Sequence, residues 1–302
     1  MLRDLEDWPP GPVHVALGVF DGVHTGHRAL LDHLVQGARA AGARAIAVTF
    51  DPLPEVGLGL DAAASALTTI DERERLLRAA GADDVAVLAF DAAFAAQTAA
   101  RFIDRLCSAG HIRRVVVGHA FRFGSGREGD PATLRRAGRA RDFEVSVLEP
   151  VTLGGGIVSS TRIRNAVRTG DLATAERLLG RPYSADGDVV RGAQRGRGLG
   201  YPTINVRTAP EKILPQDGIY ACRVEIGNAR YGAATSLGSR PTFGPGPRTL
   251  ECHLLDYSGD LYGVRVRVVF VERLRDELTF AGPAELIAQI ARDVAQTRAA
   301  LA

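Results

Sequence analysis

The sequence predicts two domains of different class: an α/β domain on a parallel sheet, then a small antiparallel β domain that ends in a helix. Three observations carry this. Short β-rich runs alternate with helical Ala/Leu/Arg stretches over the first part of the chain. After Gly180, Arg181 and Pro182 the pattern changes to period-two alternation broken by turns. At 302 residues the chain exceeds one typical domain and is long enough for two cores.

In chain order, the runs 13–20, 43–50, 84–90, 113–118 and 143–148 read as strands. The intervening stretches show helical spacing, as in Leu30, Leu31, Leu34 and Val35, or Phe102, Ile103 and Leu106. Strand and helix in alternation predict a parallel sheet covered on both faces. Ligands of such sheets bind beyond the C-terminal ends of the strands, so the end of the first strand is the place to look. The boundary falls after Pro182, giving domains 1–182 and 183–302. In the second, Tyr220, Cys222, Val224 and Ile226 alternate with Ala221, Arg223 and Glu225, and Val264, Val266 and Val268 with Arg265 and Arg267. Turn residues at 227–228, 244–247 and 258–260 separate these runs, which predicts a small barrel or sandwich. Pro283, Ala284 and Glu285 then open an amphipathic helix bearing Leu286, Ile287, Ile290 and Val294.

Composition narrows the function classes. A chain 46% hydrophobic and 24% charged is globular rather than disordered. With a net charge of +2 and scattered basic residues it has no nucleic-acid stripe. Cys107, Cys222 and Cys252 lie far apart without metal spacing and read as small buried apolar residues. The start of the chain has no apolar signal core, and no run approaches the roughly 20 residues of a membrane span, which predicts a cytoplasmic protein without a membrane partner. Self-association is left open.

Directly after the first strand comes Gly18-Val19-Phe20-Asp21-Gly22-Val23-His24-Thr25-Gly26-His27, where a helix begins. Glycines let the backbone bend close to a ligand, and two histidines three apart at a helix start face one side, beside N–H groups that suit phosphate. This string resembles the HxGH signature of the nucleotidyltransferase superfamily in the form it takes in prokaryotic FAD synthetases. The resemblance implies that His24 and His27 stabilise charge on the α-phosphate of ATP, with Gly18, Phe20, Asp21, Gly22 and Gly26 around the nucleotide. Ser159, Ser160, Thr161 and Arg162 are similar to the family's Ser-Ser-Thr-x-x-Arg segment, which holds phosphates; a serine there can cap a helix that faces an anion. Two positions depart from the pattern: Leu53 stands where the family often has histidine, and Ala120 where it usually has Asp or Asn.

The second domain opens with Gly192 and runs through Gly196, Gly198 and Gly200 to Pro202-Thr203-Ile204-Asn205. It is not a Walker A loop, because no Gly-Lys-Ser/Thr follows. It resembles the riboflavin kinase motif Gly-x-Gly-x-Pro-Thr-x-Asn, which implies that Thr203 and Asn205 bind Mg²⁺ with the nucleotide and that Gly196 and Gly198 approach its phosphates. Two apart in an extended segment, those side chains point the same way. Glu251-Cys252-His253-Leu254-Leu255-Asp256 is similar to the family strand whose glutamate is the base for the ribityl hydroxyl, so Glu251 takes that role; His253, on the same side, reads as structural. Arg240, Pro241, Thr242 and Phe243 match another family segment, and Arg275 matches an arginine near the flavin.

Together the resemblances imply a Rossmann-like HxGH nucleotidyltransferase domain followed by an all-β riboflavin kinase-like barrel with a C-terminal helix. The implied chemistry is phosphorylation of riboflavin to FMN and adenylylation of FMN to FAD, with ATP as substrate and Mg²⁺ as cofactor. Two alternatives stay open at this level: a kinase whose first domain is weakened or altered in substrate, and a non-catalytic flavin or nucleotide sensor, for which a base such as Glu251 has no use.

Overall fold

The computed structural model describes residues 2, 8–57, 66–192, 195–238 and 248–302. They form two compact units, Met1–Ser160 and Thr161–Ala302.

The first unit runs β1 (Pro12–Leu17), α1 (Thr25–Ala40), β2 (Arg44–Asp51), α2 (Pro54–Gly57), α3 (Ile70–Ala79), β3 (Asp84–Ala89), α4 (Ala92–Ala95), α5 (Ala99–Ala109), β4 (His111–Gly118), α6 (Pro131–Arg141), β5 (Glu144–Leu148) and the hairpin β6 (Thr152–Leu153) and β7 (Gly156–Ile157). The main sheet is parallel, in the order β3-β2-β1-β4-β5. Both faces are covered, which is why β1 and β2 read as continuous apolar runs. Val13, Val15, Leu17, Ile46, Val115 and Val117 pack with Phe102, Leu106 and Leu134 of α5 and α6. Ala16, Ala45, Ala47 and Val116 pack on the other face with Leu31 and Leu34 of α1 and Leu77 of α3. β1 stops at Leu17, short of the expected end at Phe20, because the next residues turn: Phe20, Gly22 and Val23 take φ of 53°, 82° and 39°. This left-handed backbone cannot continue a strand.

The division falls at the first residue of α7 (Ser160–Arg168), and the second unit continues through α8 (Leu172–Leu179), β8 (Ser184–Val190), α9 (Arg195–Gly198), β9 (Ile204–Thr208), β10 (Gly218–Ile226), β11 (Ala229–Gly238), β12 (Thr249–Leu254), β13 (Arg265–Arg275) and α10 (Pro283–Leu301). Asp171 caps α8 by accepting from the Thr174 N–H, and Gly180, at φ 69°, ends it. The strands close a barrel in the order β10-β11-β12-β9-β8-β13, so the barrel, not the sandwich, is the outcome. Tyr220, Cys222, Val224, Leu250, Cys252, Val266, Val268 and Phe270 are buried. Burial pushes the Cys222 thiol well up and that of Cys252 to about 12, so both behave as the small apolar residues expected. The turn expected at 244–247 lies outside the described residues.

The terminal helix differs from its sequence pattern. Ile287 is exposed, Leu286, Ile290 and Val294 are half-buried, and the buried positions are Asp293 and Thr297. Arg275 grips Asp293 through both carboxylate oxygens, at 2.8 and 2.6 Å, so an ion pair anchors α10 to β13 where the apolar stripe alone does not.

Candidate active sites

The first site grows from the turn between β1 and α1. A Cβ on Gly18 would sit 2.9 Å from the Phe20 ring, and one on Gly26 3.2 Å from the His24 ring. These glycines make room for neighbouring side chains, and Gly22 supplies the positive φ. The Asp21 carboxylate is buried and accepts from Leu67 N–H at 3.1 Å, Thr68 N–H at 3.1 Å and Thr68 Oγ1 at 3.2 Å. It ties the motif to the segment ahead of α3. Its backbone carbonyl accepts from Ser160 Oγ at 2.9 Å.

His24 is the N-cap of α1, with its Nδ1 accepting from the His27 N–H at 3.2 Å. A nitrogen that accepts from an amide carries no proton, so the neutral His24 ring has its hydrogen on Nε2. The two rings stack with centroids 3.6 Å apart and planes at 14°, and Phe20 meets His27 edge-on at 5.2 Å. Burial, then the neighbouring His24 and Arg73, push the His27 pKa well below 6.5 and keep its ring neutral at pH 7. Its Nδ1 is buried without a hydrogen-bond partner among the described residues.

Arg73, invisible in the motif, is fully buried beneath this turn. It donates to Thr49 Oγ1 at 3.2 Å, the Phe50 carbonyl at 2.9 Å and the Thr68 carbonyl at 3.2 Å, while Thr49 Oγ1 donates to the Val19 carbonyl at 2.7 Å. The only local signal was the capping box Thr69-x-x-Glu72, which starts α3 and places Arg73 in its first turn. Leu53 is buried and Ala120 is exposed. Ser159 directly precedes α7, which begins at Ser160, and Thr161 and Arg162 follow in its first turn.

The second site lies on the outer face of the barrel. β12 alternates, with Leu250, Cys252 and Leu254 buried and Thr249, Glu251 and His253 between them. Glu251 pairs in register with Asn205 on β9 and with Ser236 on β11, so these three side chains share one face. Thr203 Oγ1 stands 3.4 Å from one Glu251 oxygen and Thr249 Oγ1 3.3 Å from the other. Thr203, Asn205 and Glu251, far apart in sequence, are therefore brought together. A Cβ on Gly192 would fall 2.3 Å from the Asn205 amide, so the chain before α9 passes directly over that side chain. Gly196 is also required: its carbonyl accepts from the Leu199 and Tyr201 N–H groups, and a Cβ there would lie 2.3 Å from the Tyr201 carbonyl. Gly198 has open space around it. His253 binds the Pro202 carbonyl through Nδ1 at 2.9 Å, which fixes the segment leading to Thr203. The guanidinium of Arg275 is engaged by Asp293 and by the Asp276 carbonyl. Arg240, Pro241, Thr242 and Phe243 lie outside the described residues.

Residues 8–162 match the family model described as FAD synthetase, and residues 179–301 the one described as riboflavin kinase. The bifunctional riboflavin kinase/FMN adenylyltransferase of Escherichia coli strain K12 is 39% identical over 294 residues, which are 97% of this chain and 94% of that protein. The chain belongs to the bifunctional riboflavin kinase/FMN adenylyltransferase family. Members of the same description in Pseudomonas fluorescens and Bacillus subtilis are 39% and 32% identical, over 94% and 92% of this chain and 91% and 89% of their own. A crystal structure described as a macrolide-efflux protein from Streptococcus pneumoniae shares the fold with this family member at a TM-score of 0.88 and 33% identity, covering 98% of this chain and 97% of that one. Among the described residues no helix is long and apolar enough to cross a membrane.

Proposed function

We infer that this chain makes flavin cofactors in two ATP-dependent steps, riboflavin to FMN in residues 183–302 and FMN to FAD in residues 1–182. The observation that carries the first step is the meeting of Thr203, just ahead of β9, with Asn205 on β9 and Glu251 on β12 beside the glycine loop. Glu251, held between two threonine hydroxyls, accepts the proton of the terminal ribityl hydroxyl as that oxygen attacks the γ-phosphorus of ATP and ADP leaves. In the second step an FMN phosphate oxygen attacks the α-phosphorus of another ATP and pyrophosphate leaves. The Nε2–H of His24 is the donor to charge building on that phosphate, and neutral His27 supplies a second in the tautomer that leaves its buried Nδ1 as a lone pair. Ser159, Ser160, Thr161 and Arg162 are assigned to the nucleotide phosphates, with Asp21 as the strut that orients the turn.

Thr203 and Asn205 offer neutral oxygens, the hard donors that Mg²⁺ accepts beside phosphate oxygens and water. They would hold the ion in the kinase half, where its charge neutralises the anionic groups being transferred. Use of ATP by both halves supports a cytoplasmic setting. An efflux role, the description carried by the Streptococcus pneumoniae structure, is not taken over, because relatives of higher identity over nearly the whole chain carry the flavin description.

Product chromatography tests the reading. Riboflavin with ATP and Mg²⁺ should yield FMN and then FAD, and FMN as the starting flavin should yield FAD. If no phosphorylated flavin forms from either, the assignment fails. If FMN accumulates and FAD never appears, the reading in which Leu53 and Ala120 have silenced the first half takes over.

A further inference from the structure

The outer face of the barrel holds a second carboxylate, brought there from beyond β13. On β11, Ala233, Thr235 and Leu237 are buried inside the barrel, and Ala234 and Ser236 between them lie on the outer face. By the same alternation Gly238 belongs to the outer face, where it pairs in register with Thr249 of β12 as Ser236 pairs with Glu251. Gly238 is nevertheless buried. Glu277 covers it: a Cβ on Gly238 would overlap the carboxyl carbon and both carboxylate oxygens of that side chain. The half-buried Glu277 carboxylate therefore lies on the face that carries Glu251, beside the Gly238–Thr249 pair. Arg275, at the end of β13 and two residues ahead of Glu277, is held by Asp293 of α10 at 2.8 and 2.6 Å. That ion pair fixes the strand end from which Glu277 reaches across.

The position of Glu277 relative to the reacting groups suggests its partner. Thr203 Oγ1 stands 3.4 Å from one Glu251 oxygen, and Thr249 Oγ1 stands 3.3 Å from the other and 3.4 Å from the Gly238 carbonyl. Glu251 thus has Thr203 and Asn205, the groups assigned to the ion and the phosphates, on its β9 side, and Thr249 and Glu277 on its β11 side. Phosphoryl transfer keeps the attacking and leaving oxygens in line, so an acceptor whose terminal hydroxyl meets Glu251 leads the rest of its chain away from the phosphates. That direction is towards Thr249 and Glu277. Two residues along a strand span about 7 Å, comparable with an extended ribityl chain from its terminal oxygen to the flavin ring. An ionised carboxylate only accepts hydrogen bonds, and those it accepts are stronger than neutral ones, which suits it to the secondary hydroxyls of a polyol.

We propose that Glu277 is a specificity-determining residue of the kinase site and accepts hydrogen bonds from the secondary hydroxyls of the ribityl chain. The proposal rests on the reading of residues 183–302 as the riboflavin kinase. Its test is steady-state FMN formation by the full-length protein, with riboflavin and with a flavin that carries a 5-hydroxypentyl chain, which keeps the terminal hydroxyl and lacks the three secondary ones. Glu277→Ala should raise the KM for riboflavin by about tenfold or more, with kcat and the KM for ATP within about twofold of wild type, the pattern of a lost binding contact. Glu277→Gln, which keeps one accepting oxygen, should raise it less, and it carries the same comparison if Glu277→Ala does not fold. The hydroxypentyl flavin should bind the wild type about as weakly as riboflavin binds Glu277→Ala, and neither variant should weaken it further. An unchanged KM for riboflavin, an equal penalty on both flavins, or a fall in kcat at constant KM overturns the proposal while leaving the kinase in place. A wild type that forms no FMN removes the kinase reading and this proposal with it.

Discussion

The two candidate sites are built in different ways. The His24–His27 site is a turn braced from below by buried polar groups, Asp21 on Leu67 and Thr68 and Arg73 on Thr49, Phe50 and Thr68. In the barrel site strand register sets Asn205, Glu251 and Ser236 side by side, with the Thr203 and Thr249 hydroxyls flanking the Glu251 carboxylate. A turn can take many shapes, so it needs many bonds to keep one, whereas a closed ladder leaves little freedom in which residues face each other. Changes remote in sequence should therefore damage the first site, and changes to the reacting groups the second.

The largest effect is expected in the barrel. Glu251→Gln should lower FMN formation by about 10²–10⁴-fold while titrations of riboflavin and ATP remain near wild type, because a base acts mainly in the transition state. An equal loss of binding would mean that Glu251 is a binding group and that register alone does not make the site. Next comes Arg73→Met, which strands the Phe50 and Thr68 carbonyls at about 1–3 kcal/mol each. Thermal unfolding of the first unit should shift down and FAD synthesis fall, with FMN synthesis preserved; an unchanged melting temperature would break the contrast between the two sites.

Restoring the two missing polar groups, Leu53→His with Ala120→Asn, should raise FAD synthesis by about tenfold, the worth of one modest hydrogen bond. A wild type that already makes FAD as fast as FMN would show that the turn is complete without them. A fragment of residues 183–302 sharpens the comparison further. It should phosphorylate riboflavin, since it holds the glycine loop, Glu251 and α10; if only 161–302 is active, α7 and α8 belong to the working barrel. The smallest effect concerns pH. His27 has a folded pKa well below 6.5, so its contribution to stability is fully present above pH 6.5 and is lost as pH falls below that value towards the folded pKa. His27→Gln should flatten this acid limb in equilibrium unfolding, and an unaltered limb would contradict the assignment.

Much of this was readable in one dimension, because both motifs are continuous strings whose residue types state their chemistry. The strand and helix periods were equally plain, since β1 and β2 are buried on both faces while β12 is buried on one. Other features left no local trace. Arg73 acts on residues up to 24 positions away, and Arg275 is engaged by Asp293, 18 positions on. Only coordinates reveal that the missing Cβ atoms of Gly18 and Gly26 make room for Phe20 and His24.

By itself the sequence determined the two domain classes and the family each motif resembles, because hydrophobic period and motif spacing are local properties of the chain. Tertiary structure alone decided that Glu251 faces Asn205 and that His24 holds its hydrogen on Nε2. Each of these depends on which distant residues meet once the sheet is paired and the barrel closed, and that is settled by burial and register rather than by neighbours in the chain.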